Sequence, residues 1–139
     1  MLRLPLALLL QIHSHGEEAY PEEGAGFLLG ADEPDRAVEA IFPLPNAREG
    51  SARKNRYLIT PQDYLKVERE ADRLGLDLVG VFHSHPDSPN LPSEFDREWA
   101  QPYFSYLITS VMVRRAAESR SWRLLEDRSK FVEESIQTI

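Results

Sequence analysis

Residues 77–96 read DLVGVFHSHPDSPNLPSEFD, and the rest of the chain can be organised around them. The apolar, β-rich start predicts a strand over 77–83. A strand places residues i and i+2 on one face, so His83 and His85 point the same way and Ser84 points the other. Pro86 is expected to stop the ladder and leave the two imidazoles accessible at a sheet edge. Three prolines, a serine and an asparagine over 86–92 mark an irregular loop. Ser93 opens a helix over 93–101 and puts Asp96 one turn in. Two imidazoles on one face can share a metal ion, and a catalytic zinc site takes three protein ligands and leaves a fourth position open. Asp96 is the natural third ligand. Read alone, Ser93-x-x-Asp96 is a helix N-cap pattern. The two readings are compatible, because Ser93 can cap the helix while Asp96 reaches the metal.

Outward from this segment, the chain alternates helix and strand. Residues 4–19 are predicted as a buried first helix ending near Gly16 and Pro21. AGFLLG, 25–30, is a short apolar run predicted as a buried strand. Residues 31–36 form a turn, and 37–44 a second strand pairing back on the first. Residues 45–56 are polar and turn-rich and are expected to form a mobile surface loop, followed by a brief strand over 57–60. Thr60 is the N-cap and Pro61 the first residue of a helix. Its apolar positions are Tyr64, Val67, Ala71 and Leu74, and Gly75 ends it. Residues 104–113 and 120–126 are expected as a hairpin turning at Ala116–Ser119. Residues 129–139 fit either a strand or a short helix. This order describes an α/β domain over 1–139, with a mixed sheet flanked by helices.

The 139 residues carry a net charge of −7, which argues against broad nucleic-acid binding. Arg48, Arg53, Lys54 and Arg56 form a local basic cluster, read as a solvated loop. There is no cysteine, so disulfides and thiolate chemistry are excluded and any metal is held by His, Asp or Glu. MLRLPLALLL at the start resembles a short signal peptide. It contains Pro5, lacks a small-residue cleavage site and continues with Ile12 at helical spacing, so a core helix in a cytoplasmic protein is expected. No segment approaches the roughly 20 apolar residues of a membrane span. His13 and His15 form a second H-x-H, but in a helix that spacing separates them.

His83-Ser84-His85, seven residues, then Ser93-x-x-Asp96 matches the H-[ST]-H-x7-S-x2-D signature of the JAMM (MPN+) metalloprotease family. Upstream, residues 21–30, PEEGAGFLLG, are similar to the family's glutamate-bearing element. Glu23 aligns with the family's glutamate, and Glu22 is the weaker choice. The "P-N" at Pro45-Asn46 and the "R-Y-x-I-x-P" from Arg56 to Pro61 extend the likeness. The resemblance implies a JAMM/MPN, cytidine-deaminase-like fold. It further implies zinc on His83, His85 and Asp96, Glu23 as the base that activates water, and Ser93 as hydroxyl donor to the oxyanion. Ser84 is expected to make a structural hydrogen bond, and His15 occupies a position where the family often carries histidine near the site. The implied reaction is hydrolysis of a peptide or isopeptide bond. On so short a chain it implies a compact prokaryotic type acting after the Gly-Gly tail of a ubiquitin-like sulfur-carrier protein or its conjugate. The alternative is a non-catalytic MPN-type interaction scaffold, and an exposed sheet edge is compatible with a homodimer.

Overall fold

The computed structural model describes residues 1–45 and 59–139. Among them the elements run β1 (Leu2–Leu4), α1 (Leu6–Ala19), β2 (Ala25–Ala31), β3 (Arg36–Pro43), α2 (Pro61–Leu74), β4 (Asp77–Pro86), α3 (Glu94–Trp99), β5 (Ser105–Met112), β6 (Arg115–Leu124), β7 (Phe131–Glu134) and β8 (Ile136–Thr138). One sheet holds all eight strands in the order β7-β6-β5-β4-β2-β3-β1-β8. β4 lies at its middle, antiparallel to β2 and parallel to β5. Only Ser135 separates β7 from β8, yet they stand at opposite ends of that order. The sheet therefore curls until its two ends meet.

Apolar side chains pack on both faces. Phe27, Leu29, Val67, Ala71, Val81 and Tyr106 fill the side covered by α2, while Leu4, Ile12, Leu28, Val79, Phe82 and Leu107 fill the side covered by α1. The unbroken apolar run of β2 follows from this, since a strand covered on both faces needs no polar alternation.

The faces of β4 are set by a bulge. Its register against β2 shifts between Leu28, opposite Gly80, and Leu29, opposite Leu78. Val79 is the extra residue, so Leu78 and Val81 share the α2 side, Val79 and Phe82 share the α1 side, and Gly80 lies between. A Cβ on Gly80 would stand 2.3 Å from the Ser105 carbonyl oxygen, so only glycine fits there. Downstream of the bulge, alternation sends His83 and His85 to the α2/α3 side and Ser84 towards α1.

Several sequence expectations are corrected. The first segment is a strand, then Pro5, then helix. Leu2 and Leu4 are fully buried, and Gly16 lies inside α1, where it lets the helix approach Ser84. β4 runs through Pro86, which pairs with Val111 of β5. The histidines thus sit on a central strand rather than at a sheet edge. Proline is tolerated because the β2 ladder has ended by then, its last pair being Ala25–His83. The β5–β6 turn is at Val113 and Arg114, both at positive φ, instead of Ala116–Ser119, which lie inside β6. No glycine, proline or asparagine marks that turn. Helix α3 spans Glu94–Trp99 with Ser93 as its cap. The last residues form β7 and β8, strands of four and three residues that stand at the two ends of the sheet order. Asn46, the basic cluster and most of the 45–60 expectations lie outside the described residues, and Ile59 and Thr60 are not in a strand.

Candidate metal centre

Each donor is delivered by a different local device. The C-terminal end of β4 supplies the histidines, and the rings of His83 and His85 bring their Nε2 atoms 3.1 Å apart. Helix α3 supplies Asp96. Ser93 accepts from the Asp96 backbone N–H at 3.1 Å, and the Asp96 carboxylate accepts from the Ser93 N–H at 2.8 Å, a reciprocal capping box. The same carboxylate reaches His83 Nε2 with Oδ1 and His85 Nε2 with Oδ2, each at 3.3 Å. The irregular segment between α1 and β2 supplies Glu23, from which a carboxylate oxygen and one nitrogen of each histidine fall within 4.8 Å of one another. The capping box therefore leaves the Asp96 carboxylate facing both imidazoles. His83, His85 and Asp96 are nearly inaccessible to solvent, at 1%, 8% and 3%.

The donors fit a metal ion. His85 Nδ1 lies 2.8 Å from the Pro89 carbonyl. That contact requires an Nδ1–H donor and leaves Nε2 as a lone pair facing the other two groups. With His83 protonated on Nδ1, two nitrogen lone pairs and a carboxylate converge. Zinc–nitrogen bonds of about 2.0–2.1 Å put tetrahedral donors roughly 3.3–3.4 Å apart, close to the 3.1 and 3.3 Å separations here. The sulfur-free set of two imidazoles and a carboxylate suits zinc.

Electrostatics act in opposite directions on the two histidines. Burial is the main influence on His83 and lowers its pKa, which keeps the ring neutral and able to ligate. Burial also opposes charging of His85, but Asp96 and the Pro89 carbonyl outweigh it and raise its pKa. Asp96 resists the upward push of burial and is held well below the usual carboxylate range by His83, His85 and the Ser93 N–H.

Glu23 reaches the site on a segment tied to β4. Ser84 Oγ accepts from the Gly24 N–H at 2.8 Å, and the Ser84 N–H donates to the Gly24 carbonyl at 2.9 Å. This is the structural hydrogen bond expected of Ser84, on the face opposite the histidines. Ser93 is exposed, and a cleft of about 400 Å³ is lined by Glu23, His85, Pro86, Leu91 and Ser93. With the Ser93 oxygen accepting from Asp96 N–H, its own proton is available to the cleft. His13 meets Ser119 Oγ at 3.0 Å and His15 the Ala25 carbonyl at 3.1 Å, so the second H-x-H is divided between two neighbourhoods. Sequence reasoning missed the Pro89 carbonyl, a backbone group with no side-chain signature. It also missed the Tyr20–Asp87 hydrogen bond, which joins the end of α1 to the residue after β4.

A curled mixed sheet that gathers two histidines and two carboxylates at the end of its central strand belongs to an enzyme class, the metallopeptidases of JAMM type. The family described as prokaryotic homologs of the JAB domain matches residues 5–125. A probable TtuB-protein conjugate cleaving protease from Thermus thermophilus is 36% identical over 106 residues, covering 74% of this chain and 68% of that protein. A desampylase from Haloferax volcanii is 36% identical over 111 residues, covering 76% of this chain and 78% of that protein. The solution structure of a protein from Desulfitobacterium hafniense matches with a TM-score of 0.85 at 30% identity, over 100% of this chain and 93% of that one. The chain belongs to this prokaryotic JAB-domain family. Among the described residues no helix is long and apolar enough to cross a membrane.

Proposed function

We propose that this protein is a zinc-dependent peptidase that hydrolyses the amide bond after the C-terminal Gly-Gly of a ubiquitin-like sulfur-carrier protein or its conjugate. The observation that carries the reading is the convergence of His83 Nε2, His85 Nε2 and the Asp96 carboxylate, with Glu23 beside the histidines. His83, His85 and Asp96 hold the metal. Bound there, zinc supplies Lewis acidity, polarising the scissile carbonyl and lowering the pKa of water towards about 7. Glu23 takes the proton from the attacking water and passes it to the leaving amine. The Ser93 hydroxyl donates to the oxygen that gains charge as the carbonyl carbon becomes tetrahedral. The Pro89 carbonyl fixes the His85 tautomer, and Ser84 holds the Glu23 segment against β4. The substrate class draws on the relatives, one a conjugate-cleaving protease and one a desampylase. The same reading makes residues 1–139 one catalytic domain and places it in the cytoplasm.

The test is incubation of the zinc-loaded protein with a sulfur carrier linked through its Gly-Gly terminus to a second protein. Release of the free carrier is expected. An intact conjugate, with about one zinc per chain verified by metal analysis, overturns the substrate reading.

A further inference from the structure

We infer that His15 is a positioning residue for Glu23, clamping the backbone that carries this carboxylate from the α1 side of the sheet. The inference rests on the reading of Glu23 as the base. Residues 21–24 belong to no helix or strand, so Glu23 takes no rigidity from a regular element of its own. What holds the segment is a set of ties from outside. Ser84 grips Gly24 through two hydrogen bonds from β4. His15 grips the next residue. Its Nε2 lies 3.1 Å from the Ala25 carbonyl, so Nε2 carries the proton and donates. That carbonyl also accepts from the Leu44 N–H at 2.9 Å. Ala25 is two residues past Glu23 and is the partner of His83 in the β2–β4 register. One imidazole thus ties the first residue of β2, and through it the base-bearing segment, to α1.

The ring is itself held. It packs edge-on against Phe82, with centroids 5.8 Å apart and planes at 77°. Gly24 lies so close that an added Cβ would meet His15 Cδ2 at 3.3 Å. A general base acts over hydrogen-bond distances of about 2.6–3.2 Å, and a misplacement near 1 Å can cost about 100-fold in rate. A clamp on the base's backbone therefore bears on kcat, while His85, Pro86, Leu91 and Ser93 of the cleft lining lie outside the clamped segment.

The experiment compares His15→Phe, which keeps an aromatic ring and removes the N–H, His15→Leu as a second donor-free variant, and His15→Gln, whose amide restores an N–H at similar reach. Each is measured for zinc content, for kcat and KM on the carrier conjugate, and for hydrogen exchange at the Gly24 and Leu44 amides. Expected for Phe and Leu are unchanged zinc and KM, a kcat lowered by roughly 10- to 100-fold, and faster exchange at both amides. Gln should recover most of the rate and the protection. Native kcat and native exchange in the donor-free variants overturn the clamp, as does a Gln variant as impaired as Phe. A Glu23→Gln variant with native activity overturns the base reading instead, and the exchange data then still decide whether His15 tethers the segment.

Discussion

Among the described residues, two capping boxes have the same geometry and different fates. At the start of α2, the Asp63 carboxylate accepts from Thr60 N–H at 2.8 Å and Thr60 Oγ1 from Asp63 N–H at 3.1 Å. At the start of α3, the Ser93–Asp96 pair repeats both distances. Each satisfies backbone donors that a helix N-terminus leaves open. Only Asp96 meets two imidazoles. The difference comes from β4, whose bulge at Val79–Gly80 and parallel pairing with β5 aim His83 and His85 at the first turn of α3. A local motif supplies an oriented carboxylate, and the strand opposite decides which groups it meets.

The comparison breaks most sharply at the two aspartates. Asp96→Asn keeps an oxygen to accept from Ser93 N–H and removes the charge. Zinc affinity should fall by at least about 100-fold, and turnover should fall with it. Asp63→Asn should leave zinc and turnover at native levels. Metal analysis beside conjugate cleavage checks this, and zinc retained at native affinity by Asp96→Asn would remove Asp96 from the ligand set.

Glu23→Gln separates holding the metal from using it. Turnover should drop by about 100- to 10,000-fold while zinc stays bound. Loss of zinc with loss of turnover would make Glu23 a ligand rather than the base. A native rate would shift the role to Glu22.

The caps themselves give the next contrast. Ser93→Ala and Thr60→Ala should each cost about 1 kcal/mol of stability, readable in thermal or denaturant unfolding. Only Ser93→Ala should also lower kcat, by roughly 100-fold if its hydroxyl serves the oxyanion. Equal kcat in the two variants would reduce Ser93 to a cap.

These contrasts track what sequence could reveal. Capping residues, ligand spacing and strand alternation are short-range, so Thr60, Ser93, Asp96 and the shared face of His83 and His85 could be read directly. The β4 bulge could not, because Gly80 is needed only where Ser105 of another strand approaches. The central place of β4 was hidden by Pro86, which reads as a ladder stop but falls where β2 has already ended. The turn at Val113 and Arg114 carried no turn residue, and β8 owes its form to a distant partner, β1. Glu23 was legible by likeness to a family element, whereas the ties that hold it come from His15 and Ser84.

The smallest expected effect lies at another long-range tie. Tyr20, at the end of α1, donates to Asp87, whose other carboxylate oxygen accepts from the Val113 N–H at 2.8 Å. The bond joins the approach to Glu23 with the end of β4 and the β5–β6 turn. Tyr20 first, and then the Val113 N–H, lower the Asp87 pKa below its ordinary value. A carboxylate with a depressed folded pKa contributes stability above its unfolded value of about 3.9, and that contribution is lost as pH falls through the folded value. The melting-temperature gap between native protein and Asp87→Asn should therefore be present at pH 5–7 and shrink as pH falls below about 4. Exposure to solvent keeps the gap small. A gap that persists unchanged at pH 3 would mean that the tie acts through shape rather than charge.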